Sequence, residues 1–304
     1  MPHIGIRGIA HYYEWIRQPN LATPSKPVIV FIHGWAGSAR YWRSTAQALS
    51  DQFDCLLYDL RGFGRSLGKS ALLDASSAVV ESDAQDSDAI VELSYELEEY
   101  AQDLALLLDA LQLERVYINA HSMGASVGTL FINRYPTRVE KAILTCSGIF
   151  EYDEKAFAAF HKFGGYVVKF RPKWLSNIPL VDRMFMARFL HRPIPAPERK
   201  AFLEDFLVAD YGAALGTIFT SVSKQAAEVM PHEFARVQVP TLLVSGEYDQ
   251  IIPAAMGFQA ATLNALIEYV MIPRTAHFPM LEDAETYLHK VREFLQQPVE
   301  SLAS

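Results

Sequence analysis

Short apolar runs recur along the chain, and each run ends in a turn that contains glycine, proline or polar residues. Continuous apolar runs of this length are typical of strands buried on both faces of a parallel sheet. They predict strands over residues 27–32, 53–58, 115–119, 140–147, 240–244 and 268–272, after a first hairpin within residues 4–16.

Helical patterns alternate with these strands. Residues 40–50 and 94–111 each place apolar side chains on one side of a helix, the second with Ser94 as its predicted N-cap. Further helices are predicted over residues 126–134, 252–266 and 284–296. Alternating helices and buried strands predict an α/β fold built on a mostly parallel, doubly wound sheet.

Two segments break this alternation. Residues 67–93 are small, acidic and turn-prone, which predicts an exposed, flexible insertion. Residues 150–237 contain amphipathic helical stretches between proline-containing turns, and no run there resembles a buried strand. We therefore expect an α/β core over residues 1–149 and 238–304, with residues 150–237 inserted as a helical cap.

Composition narrows the class of protein. Half of the 304 residues are hydrophobic, enough for a large core, and the net charge of −8 argues against nonspecific nucleic-acid binding. Cys55 and Cys146 fall inside predicted strands, so we expect buried free thiols. The N-terminus lacks the apolar stretch of a signal peptide, and no segment has the ~18 apolar residues that span a bilayer. These features predict a cytoplasmic protein that can still touch a membrane surface.

Residues 119–125 place Ser122 between a predicted strand and a predicted helix. A strand, a sharp turn and a helix form a nucleophile elbow, which lifts the serine Oγ above the strand ends. Such a turn should crowd the residues two before and two after the serine, so both must be small, as Ala120 and Gly124 are. By itself this short pattern also fits a serine in an ordinary turn between a strand and a helix.

An acid and a histidine follow the last two predicted strands. Asp249 comes after the strand at 240–244, and His277 comes after the strand at 268–272. Parallel strands end at one edge of a sheet, so Ser122, Asp249 and His277 should meet there. A serine needs a base, and that base needs an orienting carboxylate. Taken singly, Asp249 is equally compatible with a turn residue and His277 with a packing or capping residue.

An oxyanion formed on a substrate needs hydrogen-bond donors. The backbone N–H of Met123, at the start of the helix after the serine, is one predicted donor. Trp35 N–H is the second, because Gly34 lets the backbone approach closely after the strand at 27–32. His33 lies beside these groups, and we expect it to hold the loop by hydrogen bonding.

These motifs together resemble those of the α/β-hydrolase superfamily, in its serine esterase and lipase-like branch with a helical cap. A serine at the elbow is unlike the haloalkane dehalogenase and epoxide hydrolase branches, whose nucleophile is aspartate. Ala120 departs from the glycine that is usual in the family. The resemblance covers the chain except the acidic insertion and the cap, and it is carried by residues 33–35, 59–66, 120–124, 246–249 and 276–278.

The resemblance implies a serine hydrolase that cleaves a lipophilic carboxylic ester through an acyl-enzyme, with a Ser-His-Asp triad and without a cofactor or a metal. A long-chain acyl ester or an isoprenoid ester of the phytyl type is the narrower expectation, as in enzymes that resemble chlorophyll dephytylase. C–C bond hydrolases and acyltransferases use the same triad, and ligand receptors share the fold, so these alternatives stay open. The oligomeric state stays undetermined.

The predicted cap is basic although the whole chain is acidic. Residues 162–200 contain nine lysines and arginines against two acids, with aromatic residues interleaved. A basic, aromatic helical surface can rest on an anionic membrane or admit a long apolar substrate. The alternative is that the aromatic side chains pack on the core and the charges are solvated. The aromatic residues concerned are Phe163, Tyr166, Phe170, Trp174, Phe185 and Phe189.

Overall fold

The computed structural model describes residues 2–18, 26–66 and 93–298. The predicted acidic insertion, residues 67–93, lies outside the described residues apart from Leu93. Among the described helices, none is long and apolar enough to cross a membrane.

An eight-stranded sheet forms the centre of the described chain, in the order β1-β2-β4-β3-β5-β6-β7-β8. The first two strands form the predicted hairpin and pair antiparallel, whereas β3 to β8 are parallel to one another. This confirms the predicted fold class. The strands are β1 His3–Ile6, β2 Ile9–Ile16, β3 Val28–Ile32, β4 Asp54–Tyr58, β5 Val116–His121, β6 Val139–Thr145, β7 Thr241–Gly246 and β8 Ile267–Ile272.

Helices cover both faces of this sheet. They are α1 Arg43–Leu49, α2 Leu97–Ala110, α3 Met123–Arg134, α4 Glu154–Lys169, α5 Val181–Met186, α6 Ala196–Val208, α7 Tyr211–Ser221, α8 Lys224–Ala235, α9 Ala254–Thr262, α10 Pro279–Glu282 and α11 Ala284–Gln296. Successive residues of β3 point to opposite faces, so Val30 and Ile32 join the core under α2 and α3. Ile29 and Phe31 join the second core, under α1 and α11. Because both faces are covered, the central strand β3 is apolar throughout, as the sequence pattern indicated.

Helices α4 to α8 all lie between β6 and β7, and we call residues 150–237 the cap segment. Within it α4 packs on α7 and α5 packs on α6, while α8 reaches α3 of the core. A buried carboxylate, Asp205 of α6, accepts a hydrogen bond from Ser38 Oγ at 2.6 Å and is paired with Arg40. These contacts fix the cap segment above the end of β3.

Two local predictions were wrong. Helix α2 begins after Glu96, whose side chain makes no capping bond, and Ser94 instead accepts a bond from the Glu96 N–H at 3.3 Å, two residues away. Cys146 lies just beyond β6 with φ 51°, not inside the strand. Cys55 and Cys146 are nevertheless buried free thiols, as predicted.

Candidate active site

Ser122 occupies a sharp turn between β5 and α3. Its backbone has φ 55° and ψ −125°, a conformation that non-glycine residues adopt only where the surroundings enforce it. Its N–H donates to Thr145 O of the neighbouring strand at 2.9 Å, and its carbonyl accepts from Ala125 N at 2.8 Å. The turn is therefore locked on both sides, and it presents a partly exposed side chain at the carboxyl edge of the sheet.

Gly124 must be small for a different reason from the one expected. The nearest atoms to a Cβ built there are His33 O at 2.3 Å, Ile32 O at 2.9 Å and His33 C at 3.0 Å, so the end of β3 and the residue after it forbid a side chain. Ala120 is fully buried, and its methyl carbon lies 3.3 Å from a Cβ built at Gly128. The limits on Gly124 thus come from the neighbouring strand and not from Ala120.

The three residues predicted to meet at the sheet edge form one hydrogen-bonded chain. Ser122 Oγ is 3.0 Å from His277 Nε2, and His277 Nδ1 is 2.7 Å from Asp249 Oδ2. Asp249 and His277 are buried. Because the carboxylate can only accept, Nδ1 carries the proton and Nε2 has a lone pair free for the serine hydroxyl. The arrangement can therefore remove a proton from Ser122.

Asp249 is held as an anion by its surroundings. Burial acts to raise the pKa of this carboxyl, but the electrostatic interaction and hydrogen bond with His277 offset burial and, with two backbone N–H donors, bring the pKa below its ordinary value. Those donors, Ile251 N–H at 2.8 Å and Ile252 N–H at 3.1 Å, both bind Oδ1. The other oxygen is thereby left to face His277.

The loop after β3 carries the predicted oxyanion donors. His33 Nε2 accepts from Leu60 N–H at 2.8 Å, so Nδ1 is protonated and donates to Gly34 O, also at 2.8 Å. His33 thus holds the loop, and burial lowers its pKa and keeps it neutral. A Cβ at Gly34 would lie 3.0 Å from Ser122 Cβ, which shows how closely the loop approaches the serine.

Two backbone N–H groups beside Ser122 have no hydrogen-bond partner within the described residues. Met123 is the first residue of α3, where a helix leaves its N–H groups unsatisfied. Trp35 lies in the turn after β3, and its indole Nε1–H donates to Ala214 O of α7 at 2.9 Å. That bond fixes the Trp35 side chain to the cap segment.

Tyr41 and His121 join the two loops of the site, a connection that sequence reasoning missed. His121 Nε2–H donates to His277 O at 2.7 Å, so its Nδ1 is unprotonated and accepts from the Tyr41 hydroxyl at 3.0 Å. The same hydroxyl accepts from Gly34 N–H. Burial and the nearby His277 hold the pKa of His121 well below its usual value. His121 is adjacent to Ser122 in the sequence, but no sequence pattern indicated that Tyr41 would contact His121.

Glu282 is the second connection that sequence reasoning missed. Its Oε1 accepts from Ala276 N–H at 2.8 Å and from Phe278 N–H at 3.3 Å, on either side of His277. Its Oε2 accepts from the N–H groups of His191 and Arg192 in the cap segment at 2.6 and 2.7 Å. One buried carboxylate therefore ties the histidine loop to the cap segment, which no sequence pattern announces.

Aromatic side chains of the cap segment cover the histidine side of the site. Phe189 O accepts from His277 N–H at 2.9 Å, and the Phe189 ring lies 6.1 Å from the His277 ring. The Phe202 ring packs edge to face against Phe278, the residue after the histidine, with ring centroids 5.2 Å apart. On the other side Phe206 lies 5.9 Å from the Trp35 ring. The surroundings of Ser122 are thus apolar where they meet the cap segment.

Two other features near or beyond the site have no assigned part in its chemistry. His121, Cys146 and His277 bring potential metal ligands within 4.8 Å of one another, but every histidine nitrogen among them already has a hydrogen-bond partner. A groove of about 600 Å³ lies at Ile149, Tyr152 and Leu263, and none of Ser122, Asp249 or His277 lines it.

Comparison with known proteins agrees with this fold. Residues 27–284 match the family model described as alpha/beta hydrolase fold. The chain is similar to the pimeloyl-[acyl-carrier protein] methyl ester esterase of Vibrio cholerae, with 23% identity over 88% of this chain and 93% of that protein. It is also similar to an uncharacterized hydrolase of Bacillus subtilis, with 21% identity over 96% of each chain. The crystal structure of the enol-lactonase from Burkholderia xenovorans superposes with a TM-score of 0.74 at 19% identity, over 97% of this chain and 100% of that one. The matched family model covers strands β3 to β8 together with Ser122, Asp249 and His277, and the chain belongs to the alpha/beta hydrolase fold family.

Proposed function

We propose that the protein is a serine hydrolase that cleaves a lipophilic carboxylic ester. The observation that carries the proposal is the hydrogen-bonded chain from Ser122 Oγ through His277 to Asp249 at the carboxyl edge of the sheet. Ser122 is the nucleophile, His277 the general base and Asp249 the group that fixes the tautomer of the histidine.

The reaction follows from where the protons lie. Ser122 Oγ attacks the ester carbonyl carbon while its proton moves to His277 Nε2, and the carbonyl oxygen becomes an oxyanion. The N–H groups of Trp35 and Met123 stabilise that oxyanion, because neither is used within the described protein. The imidazolium then gives its proton to the departing alkoxide, which leaves as the alcohol, while the acyl group stays bonded to Ser122 Oγ. Water, deprotonated by the same nitrogen, attacks the acyl-enzyme, and His277 then returns the proton to Ser122 Oγ as the acid leaves.

The surroundings support a lipophilic substrate. Phe189 and Phe202 of the cap segment cover the His277 side, and Phe206 covers the Trp35 side. Apolar walls with a few fixed polar groups are typical of sites that bind apolar molecules. A long-chain acyl ester or an isoprenoid ester fits this description. The relatives named for a methyl ester esterase and an enol-lactonase support an ester or lactone bond as the target.

Covalent labelling with a fluorophosphonate tests the nucleophile. The wild type should be labelled once, Ser122→Ala should not be labelled, and the loss of turnover should be on the order of 10⁴–10⁶-fold. Ser126→Ala is the matched control, because Ser126 is a partly exposed serine one turn further along α3. Labelling of Ser122→Ala at the wild-type rate would disprove the assignment.

A chain-length series of nitrophenyl esters tests the substrate class. We expect kcat/KM to rise from acetate to long acyl chains, because each CH₂ placed among the phenylalanines contributes about 0.8 kcal/mol when fully buried. A preference for acetate would contradict a lipophilic acyl group. Transfer of the acyl group to an added alcohol in preference to water would instead favour an acyltransferase, and cleavage of a C–C bond without ester turnover would favour a C–C hydrolase.

A further inference from the structure

Helix α4 of the cap segment presents a large aromatic surface to solvent. Its inner side packs on α7, where Gly164 and Val168 are buried and a Cβ at Gly164 would lie 3.1 Å from Ile218 Cδ1. On its outer side Phe163 is 65% exposed, Tyr166 is 64% exposed, and Phe170, which follows the helix, is 70% exposed. The expectation that the cap aromatics pack on the core therefore fails for these three residues.

A row of lysines flanks this aromatic surface. Lys155, Lys162 and Lys169 recur every seven residues, so a helix with about 100° per residue places them within about 40° of one another. Phe163 and Tyr166 occupy the adjacent arc of the same exposed side, because their positions differ from those of the lysines by less than half a turn. The outer side of α4 thus has a cationic edge beside an aromatic strip.

The lysines of this edge form no ion pairs among the described residues. All three are exposed, and none forms an ion pair within the described part of the chain. The turn that follows adds another exposed lysine, Lys173, and another exposed aromatic residue, Trp174, which is 55% exposed. Arg171 is different, because its guanidinium donates to Val168 O and Phe206 O and so serves the packing of the cap segment.

We propose that this surface, the outer side of α4 with Phe170, Lys173 and Trp174, docks the protein onto an anionic phospholipid bilayer. The chain as a whole has a net charge of −8, so an anionic membrane repels most of the molecule. The lysine edge is attracted to the same membrane, and this difference selects one orientation. Aromatic rings insert at the boundary between headgroups and acyl chains, and lysines reach the phosphates beside them. The charge of the lysines and the apolar area of the aromatic rings therefore both match an anionic bilayer.

Docking in this way brings the cap segment to the source of a lipophilic substrate. Phe185 and Phe189, on the same segment, pack inward with Phe202 towards the site. The docking proposal itself does not depend on hydrolysis, because binding to lipid is measured without turnover. Failure of the ester proposal and failure of the docking proposal are therefore distinguishable.

The test is co-sedimentation of the full chain with vesicles of equal parts phosphatidylglycerol and phosphatidylcholine, and with vesicles of phosphatidylcholine alone, at low and moderate salt. The wild type should bind the anionic vesicles preferentially, and salt should weaken the binding. Replacing Lys162, Lys169 and Lys173 together by Gln should weaken it about a hundredfold, since each lysine near the membrane contributes about fivefold. Replacing Phe163, Tyr166 and Phe170 by Ser should weaken binding to anionic vesicles by about tenfold or more.

A charge-matched control distinguishes this surface from net charge. Arg115 and Arg236 are exposed, Lys290 is partly exposed, and each pairs with an acid elsewhere, so the triple Gln variant changes the total charge equally. It should bind as the wild type does. Equal weakening in the control, or no binding of the wild type to anionic vesicles at low salt, would overturn the proposal. A dimer in gel filtration that the Phe163, Tyr166 and Phe170 variant converts to a monomer would also overturn it, by showing a second copy on this surface. Unchanged melting temperatures establish that the variants are folded.

Discussion

Replacing Asp249 by Asn is a sharp test of the hydrogen-bond chain, because the structure determines which way the new amide must point. Oδ1 of Asp249 accepts two backbone N–H groups, those of Ile251 and Ile252, whereas Oδ2 accepts from His277 Nδ1–H. With its oxygen kept on the Oδ1 side, the amide NH₂ faces His277 and donates to Nδ1. The proton of the imidazole then sits on Nε2, towards Ser122, and no lone pair remains to take the serine proton.

The opposite orientation of the amide restores the correct tautomer at a cost. It points NH₂ at two N–H donors in a buried site, so two hydrogen bonds are lost and their donors are left unpaired. Each loss costs about 1–3 kcal/mol, which disfavours this orientation by about 2–6 kcal/mol in all. The productive form therefore falls by about thirtyfold to about 10⁴-fold, and kcat should fall by the same factor.

The assay is kcat for a soluble nitrophenyl ester, together with ¹⁵N NMR of the histidine ring to identify its tautomer. Asp153→Asn makes the same chemical change at the exposed N-cap of α4, and it should leave kcat unchanged. A loss of less than about tenfold in Asp249→Asn, with the proton still on Nδ1, would refute the reasoning and require another group to orient His277.

Two further predictions concern the surroundings of the site. Glu282→Gln keeps one acceptor oxygen, and its NH₂ group must face either the two N–H groups of the histidine loop or the two of the cap segment. Two hydrogen bonds to a charged acceptor are then lost, so the unfolding free energy should fall by about 3–6 kcal/mol. Urea unfolding measures this against the exposed control Glu285→Gln, and equal stability would show that Glu282 does not clamp the loop. Burial lowers the pKa of His11, His33 and His121 below the ordinary 6.5, so the folded state stays neutral where the unfolded chain takes up protons. The unfolding free energy is therefore undiminished by these histidines above about pH 6.5 and should fall as the pH falls below it, by up to about 4 kcal/mol per pH unit for three protons. An unfolding free energy that stays flat from about pH 7 to 5 would contradict this.

The main elements of the fold follow from local pattern alone. The run 27–32 is apolar throughout because a strand buried on both faces has no solvent side, and it is observed as β3 Val28–Ile32. Helix boundaries were less predictable, since Ser94 is a good N-cap by type but α2 begins after Glu96. Capping differences of this kind are small in energy, so the way α2 packs on the core decides where it begins.

The candidate site divides in the same way. Ser122, Asp249 and His277 were predictable because each follows a strand, and parallel strands carry their carboxyl ends to one edge of the sheet. Gly124 was predictable as a small residue, although the reason lies in the carbonyls of Ile32, at the end of β3, and of His33, which follows it. The residues that follow each strand can be read from the sequence, because the turn at the end of a strand is a local feature.

Only the tertiary structure decided the contacts that hold these groups in place. Tyr41 reaches His121 across 80 positions of sequence, and Glu282 reaches His191 across 91. Such hydrogen bonds depend on how helices and loops pack above the sheet, and they leave no periodic trace in the chain. The same packing left Phe163 and Tyr166 exposed while it turned Phe185 inward, although all three are aromatic residues of one helical segment. Residue type set what each side chain can do, and packing selected which surface or neighbour each one meets.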